Sequence, residues 1–158
     1  DVISPYAYLA FERLPHALAG LPCAVSHRPV LFAGLLGHWG HKGPAEIEPK
    51  RAWTFRQVFR HVWQSGDDPN DPARLAALTH RLAPVRDPQS AEVKQALKDA
   101  TEAAIARGVF GVPTFEVDGR LFWGVDAIPI LVAYLNGDPW FDGPGWEARP
   151  TAIQGVRR

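Results

Sequence analysis

GVFGVPTFEVDGRLFWGVD, residues 108–126, decides how this 158-residue chain folds. Gly108 follows a helical pattern and supplies its C-terminal stop. Val112-Pro113-Thr114 reads as a rigid bend, and residues 114–117 as a strand. Asp118-Gly119 is the two-residue turn that returns a strand antiparallel along residues 120–123. A helix is expected to start at Asp126. Pro113 has no N–H to give a ladder, so it is expected at the sheet's outer edge. The bend is expected to form one wall of a ligand site, with the first few residues of the chain as the other.

Upstream, Ser4-Pro5 marks a helix start: a capping hydroxyl, then proline at the first helical position. Tyr8, Leu9 and Phe11 continue that helix, and Pro15 is expected to kink or end it. Alternation over residues 23–32 predicts a strand, with Cys23 as a buried small hydrophobe on it. Residues 33–51, rich in Gly, His and Trp with Pro44 and Pro49, read as loop. Phe55, Val58, Phe59, Val62 and Trp63 recur at helical spacing within residues 52–65. Asp71-Pro72 starts a helix running to about Leu82, and Ser90 caps a longer one ending at Gly108. A last helix is expected over residues 126–136, before a tail holding Trp140, Phe141 and Trp146.

Composition bounds the function. Seventeen basic residues balance seventeen acidic ones, so nothing calls for nucleic acid or an anionic membrane as partner. No apolar run approaches the roughly 20 residues of a bilayer helix. No signal peptide is read, and the cytoplasm is the expected compartment. Cys23 is the chain's single cysteine, which excludes an internal disulfide and a cysteine metal cluster. The six histidines are scattered and none pairs at metal-ligand spacing with another ligand type, so no metal is expected.

With a first strand at or just before Asp1, the order is βαβ, a helical block, then ββα. That is α/β: a thioredoxin-like domain with a mixed four-stranded sheet and an inserted all-helical domain. The expected bounds are residues 1–34 and 109–143 for the thioredoxin-like domain and 35–108 for the insertion. Residues 144–158 are left as a C-terminal tail.

The motifs then resemble one family. Residues 1–9 (DVISPYAYL), Arg28-Pro-Val-Leu-Phe, Gly40-His-Lys-Gly-Pro, Pro49-Lys50, residues 108–115 (GVFGVPTF), residues 122–126 (FWGVD) and Gly137-Asp-Pro-Trp occur in the order of 2-hydroxychromene-2-carboxylate isomerases and the related kappa-class glutathione transferases. The resemblance covers nearly the whole chain. Two departures stand out. The family's first strand lies upstream of Asp1, and a segment of several dozen residues that the family carries is missing where Val58 meets Phe59.

From the residues alone, Ser4 is an N-cap, Pro113 a trans strand-edge proline and Asp126 a helix cap. Lys42 and Lys50 are surface charges on the same reading, and Trp39, Trp63 and Trp123 are core residues or the lining of an aromatic pocket. Ser4-Pro5-Tyr6-Ala7 stands where a thioredoxin-like oxidoreductase carries Cys-x-x-Cys, which excludes dithiol redox chemistry. The resemblance implies more. It makes glutathione the cofactor, with Ser4 holding its sulfur, Pro5 and Tyr6 beside it, and Val112 before a cis Pro113 pairing with its cysteinyl unit. Val125 and Asp126 would take the γ-glutamyl end. His41 falls where relatives carry Asn on glutathione, and Lys42 and Lys50 would meet an aromatic carboxylate substrate, Lys50 near the reacting atoms. The implied activity is cis-trans isomerisation of 2-hydroxychromene-2-carboxylate by a homodimer. The alternatives are a kappa-class-like glutathione transferase and a non-catalytic glutathione-binding protein of the same fold.

Overall fold

The computed structural model describes residues 2–39 and 52–146. Helix α1 (Pro5–Ala17) is capped by Ser4, whose side chain accepts the Ala7 N–H. It runs past Pro15, which is exposed; Leu14 is buried next to Phe122 and Leu131, and the Leu18 N–H still reaches the Leu14 carbonyl. The proline's missing hydrogen bond therefore falls on the solvent face, and the expected end at Pro15 is corrected to Ala17.

The expected strand at residues 23–32 does not form. Those residues run without regular structure, and Phe32 opens helix α2 (Phe32–His38), where a loop was expected. Val30 alone in residues 23–30 is buried, so no apolar face exists to set a register. The Leu31 N–H is taken by the Thr101 hydroxyl at 2.8 Å rather than by a neighbouring strand. Cys23 is exposed, a second correction. Gly34, one of the glycines that made this segment read as loop, is what lets α2 dock. A Cβ on Gly34 would lie 3.0 Å from the Thr101 methyl, so α2 approaches the next long helix closely there. The boundary expected between residues 34 and 35 falls inside α2.

Helices α3 (Ala52–Trp63) and α4 (Pro72–Leu82) pack together, α4 capped by Asp71. Val58 and Phe59, the expected junction, are consecutive buried residues of α3 and pack with Val2, Ala7 and Leu78. Helix α5 (Ala91–Ala106) starts at Ser90 and ends as read. Gly108, at φ +86°, donates to Ile105 and Val109 donates to Ala104, which leaves the C-terminal carbonyls paired and folds Val109 into the core.

Strands β1 (Thr114–Val117) and β2 (Arg120–Trp123) are antiparallel, Thr114 opposite Trp123. Asp118 and Gly119 both have positive φ, as a tight primed turn requires. Among the described residues the sheet has these two strands, where four were expected. A 3-10 turn (Val125–Ala127) precedes α6 (Ile128–Leu135). Neither has a side-chain cap, so Asp126 is not the helix cap it was read as. Phe122, Leu131 and Phe141 form the core under the hairpin, with Trp146 against it. No described helix is long and apolar enough to cross a membrane.

Candidate functional site

The two walls expected from the sequence meet. Ser4 is 5% exposed, and its Oγ lies 3.4 Å from the Val112 carbonyl, to which it donates across 108 positions of chain. The same oxygen accepts the Ala7 N–H at 3.2 Å. Val112-Pro113 is a cis peptide. The Pro113 carbonyl accepts the Gly124 N–H at 2.9 Å, which carries the hairpin ladder one step past Thr114 and Trp123. Pro113 is thus at the ladder's end, as its missing N–H demands.

Local chemistry explains the open donors here. Pro5 has no N–H, Ala7 gives its own to Ser4 Oγ, and Tyr8 gives its own to the Ser4 carbonyl. The Tyr6 N–H is left over in the first turn, with no acceptor among the described residues. The first turn holds no acidic side chain, so the positive end of α1 is not offset from within the helix. Pro5 and Tyr6 are exposed beside the buried hydroxyl.

The bend is fixed from several sides. The Thr114 hydroxyl donates to the Gly111 carbonyl at 2.7 Å. Gly111 is buried beneath the Trp123 indole, so closely that a Cβ there would strike the ring nitrogen. Trp39 and Trp63, read as core or pocket lining, are surface residues with buried tasks. The Trp39 indole donates to the Val109 carbonyl at 3.2 Å, and the Trp63 indole to the Val2 carbonyl at 3.0 Å. Each indole holds one of the two segments that form the junction. The sequence signal for this was slight: half-exposed tryptophans at helix ends, placed to hydrogen-bond a backbone.

The 3-10 turn with Val125 and Asp126 packs against α1. Asp126 is exposed and its carboxylate folds back over Gly124, whose φ of +100° leaves no room for a side chain. The N–H groups of Val125 and Asp126 have no acceptor among the described residues. His41, Lys42 and Lys50 lie outside the described residues. Among the described residues no three His, Cys, Asp or Glu side chains are grouped to hold a metal.

This geometry is a serine-capped helix facing a cis-proline bend beside a hairpin. Residues 50–136, over half of the chain, match the DSBA-like thioredoxin domain. The chain belongs to that family. Human glutathione S-transferase kappa 1 is 30% identical to the DSBA-like chain over 91% of each protein. The 2-hydroxychromene-2-carboxylate isomerase of Sphingobium xenophagum is 24% identical, covering 85% of the chain and 94% of the relative. A solved structure of a 2-hydroxychromene-2-carboxylate isomerase superposes with a TM-score of 0.69 at 21% identity, covering 86% of the chain and 91% of that structure. The thioredoxin-like fold is therefore shown. The human alignment runs over 210 positions against 158 residues here, so that relative carries residues the DSBA-like chain does not match.

Proposed function

We propose that this chain is a glutathione-dependent isomerase of 2-hydroxychromene-2-carboxylate or a close aromatic carboxylate. The observation that carries the reading is the buried Ser4 hydroxyl set between the α1 N-terminus and the Val112 carbonyl.

The residues fit glutathione. Ser4 Oγ has one proton, which goes to Val112 over a long 3.4 Å contact, and a hydroxyl rotor can redirect it to a thiolate. The Tyr6 N–H points out of the same turn. A thiol of pKa ~8.5 must fall by one to two units to be mostly ionised at neutral pH, about 1.4–2.7 kcal/mol. A hydrogen bond to a charged partner contributes about 1.5–3 kcal/mol and a helix N-terminus about 0.3–1. Together they suffice. The open Val112 edge suits an extended peptide, and the free Val125 and Asp126 amides suit a carboxylate, with the Asp126 acid for an ammonium. When bound, glutathione supplies the thiolate that adds to and then leaves the substrate's unsaturated carbon, so that the intervening single bond can rotate. Lys50, with Lys42 and His41, is assigned to the substrate carboxylate and the developing enolate. The same reading gives a cytoplasmic homodimer with a thioredoxin-like domain and a helical insertion.

Glutathione titrated into the protein at neutral pH should show thiolate absorbance that Ser4→Ala abolishes. An unchanged thiolate signal in the variant would remove Ser4 from the site. The higher identity to the kappa-class relative supports a second reading, a transferase. Turnover of chlorodinitrobenzene without turnover of the chromene substrate would establish that one and overturn the isomerase.

A further inference from the structure

On the far side of α3 from the Ser4 junction lies a cleft of about 230 Å³ between α3 and α4. Val58, Phe59 and Val62 face Val2 and Ala7, whereas Gln57, Arg60 and His61 turn the other way and line the cleft. Arg74 and Arg81 of α4 complete its polar walls, and Leu78 is at its base. Three guanidinium groups therefore share one small concavity in a chain of zero formal charge.

The charges are not internally balanced. No Asp or Glu is among the lining residues. The linking loop carries Asp67, Asp68 and Asp71; Asp68 accepts the Asn70 N–H and Asp71 caps α4 through the Arg74 N–H, and none of the three forms an ion pair with a cleft arginine among the described residues. Arg56, Arg86 and Arg107 each pair with a glutamate, but Arg60, Arg74 and Arg81 have no carboxylate partner among the described residues. Arg74 is tied to the backbone, donating to the carbonyls of His61 at 2.9 Å and Asp68 at 2.7 Å. His61 Nε2 lies 2.8 Å from the Pro69 carbonyl and so carries the proton there. These bonds fix the cleft's frame. Arg81 has a single neutral contact, to Gln57 Oε1 at 3.2 Å, and Arg60 has no hydrogen-bond partner among the described residues. Like charges held together in this way are relieved by a counter-anion.

We propose that the α3–α4 cleft binds a phosphate-class oxyanion, gripped by the Arg60 and Arg81 side chains on a frame held by Arg74. Planar guanidinium forks match tetrahedral oxyanions through paired hydrogen bonds, and the volume suits a compact headgroup rather than a polymer. The site is separate from the proposed glutathione site and stands or falls independently of it.

The test is calorimetric titration of the whole chain at fixed ionic strength with inorganic phosphate, and in a parallel arm with glycerol phosphate, against chloride as control. Saturable binding is expected, weakened about tenfold or more in Arg60→Gln and in Arg81→Gln. Both side chains are exposed, and far-UV circular dichroism checks that each variant is folded. Tighter binding of glycerol phosphate identifies an esterified ligand, and tighter binding of phosphate the free anion. No saturable binding in either arm, or equal binding by the folded variants, overturns the proposal.

Discussion

Replacing Ser4 by Ala should cost more than replacing Ser90 by Ala, and the difference measures the Ser4–Val112 link. Both serines cap a helix, with Oγ accepting an amide at 3.2 Å in α1 and 3.3 Å in α5. Loss of such a cap costs about 1 kcal/mol. The Ser90 hydroxyl has no second partner among the described residues, whereas that of Ser4 also donates to Val112 at 3.4 Å. That distance is at the long end, so its share lies near the low end of the usual range, about 0.5–1 kcal/mol. Ser4→Ala should therefore cost about 1.5–2 kcal/mol and Ser90→Ala about 1. Urea unfolding of the three proteins, with equal slopes confirming a common transition, reads the difference directly. A Ser4→Ala loss equal to or smaller than that of Ser90→Ala would refute the link as a stabilising contact.

Thr101 is 4% exposed, accepting the Leu31 N–H and donating to the Leu97 carbonyl, both at 2.8 Å. Thr101→Val keeps the shape but strands the Leu31 amide, so urea unfolding should show a loss of about 1–3 kcal/mol; a neutral variant would mean that another acceptor replaces the hydroxyl. His27 is exposed by area, yet its ring lies 5.3 Å from the Phe11 ring between centroids, and the partial desolvation there lowers its pKa. The neutral form is thus favoured by folding: the stabilisation is complete above the unfolded value near ~6.5 and is lost as pH falls through the lowered one. Stability of the native chain should drop relative to His27→Gln as pH falls through and below the ordinary histidine value, and parallel pH profiles would contradict this.

Much of the fold follows from local chemistry. Asp118-Gly119, Gly108, Ser90, Asp71-Pro72 and Ser4-Pro5 each fix a turn or helix end by a requirement that no tertiary contact overrides, and each stands where it was read. Residues 23–38 were misread because their outcome depends on a partner. Leu31 bonds a threonine 70 positions away, and Gly34 of α2 makes sense only against Thr101 of α5. The meeting of Ser4 with the Val112-Pro113 bend was legible from the family pattern. The tryptophan anchors were not, since a hydrogen bond to a distant carbonyl leaves no periodicity behind.

Ser4 Oγ takes part in two events of very different reach. Capping α1 spans three residues and is available as soon as that helix forms, while the bond to Val112 closes a loop of 108 positions. A chain emerging N-terminus first can thus complete the helix cap long before the hairpin exists, and the junction is assembled only once the bend has been made. The hydroxyl's two bonds therefore have different requirements: the cap needs only α1, whereas the junction needs residue 112 in place.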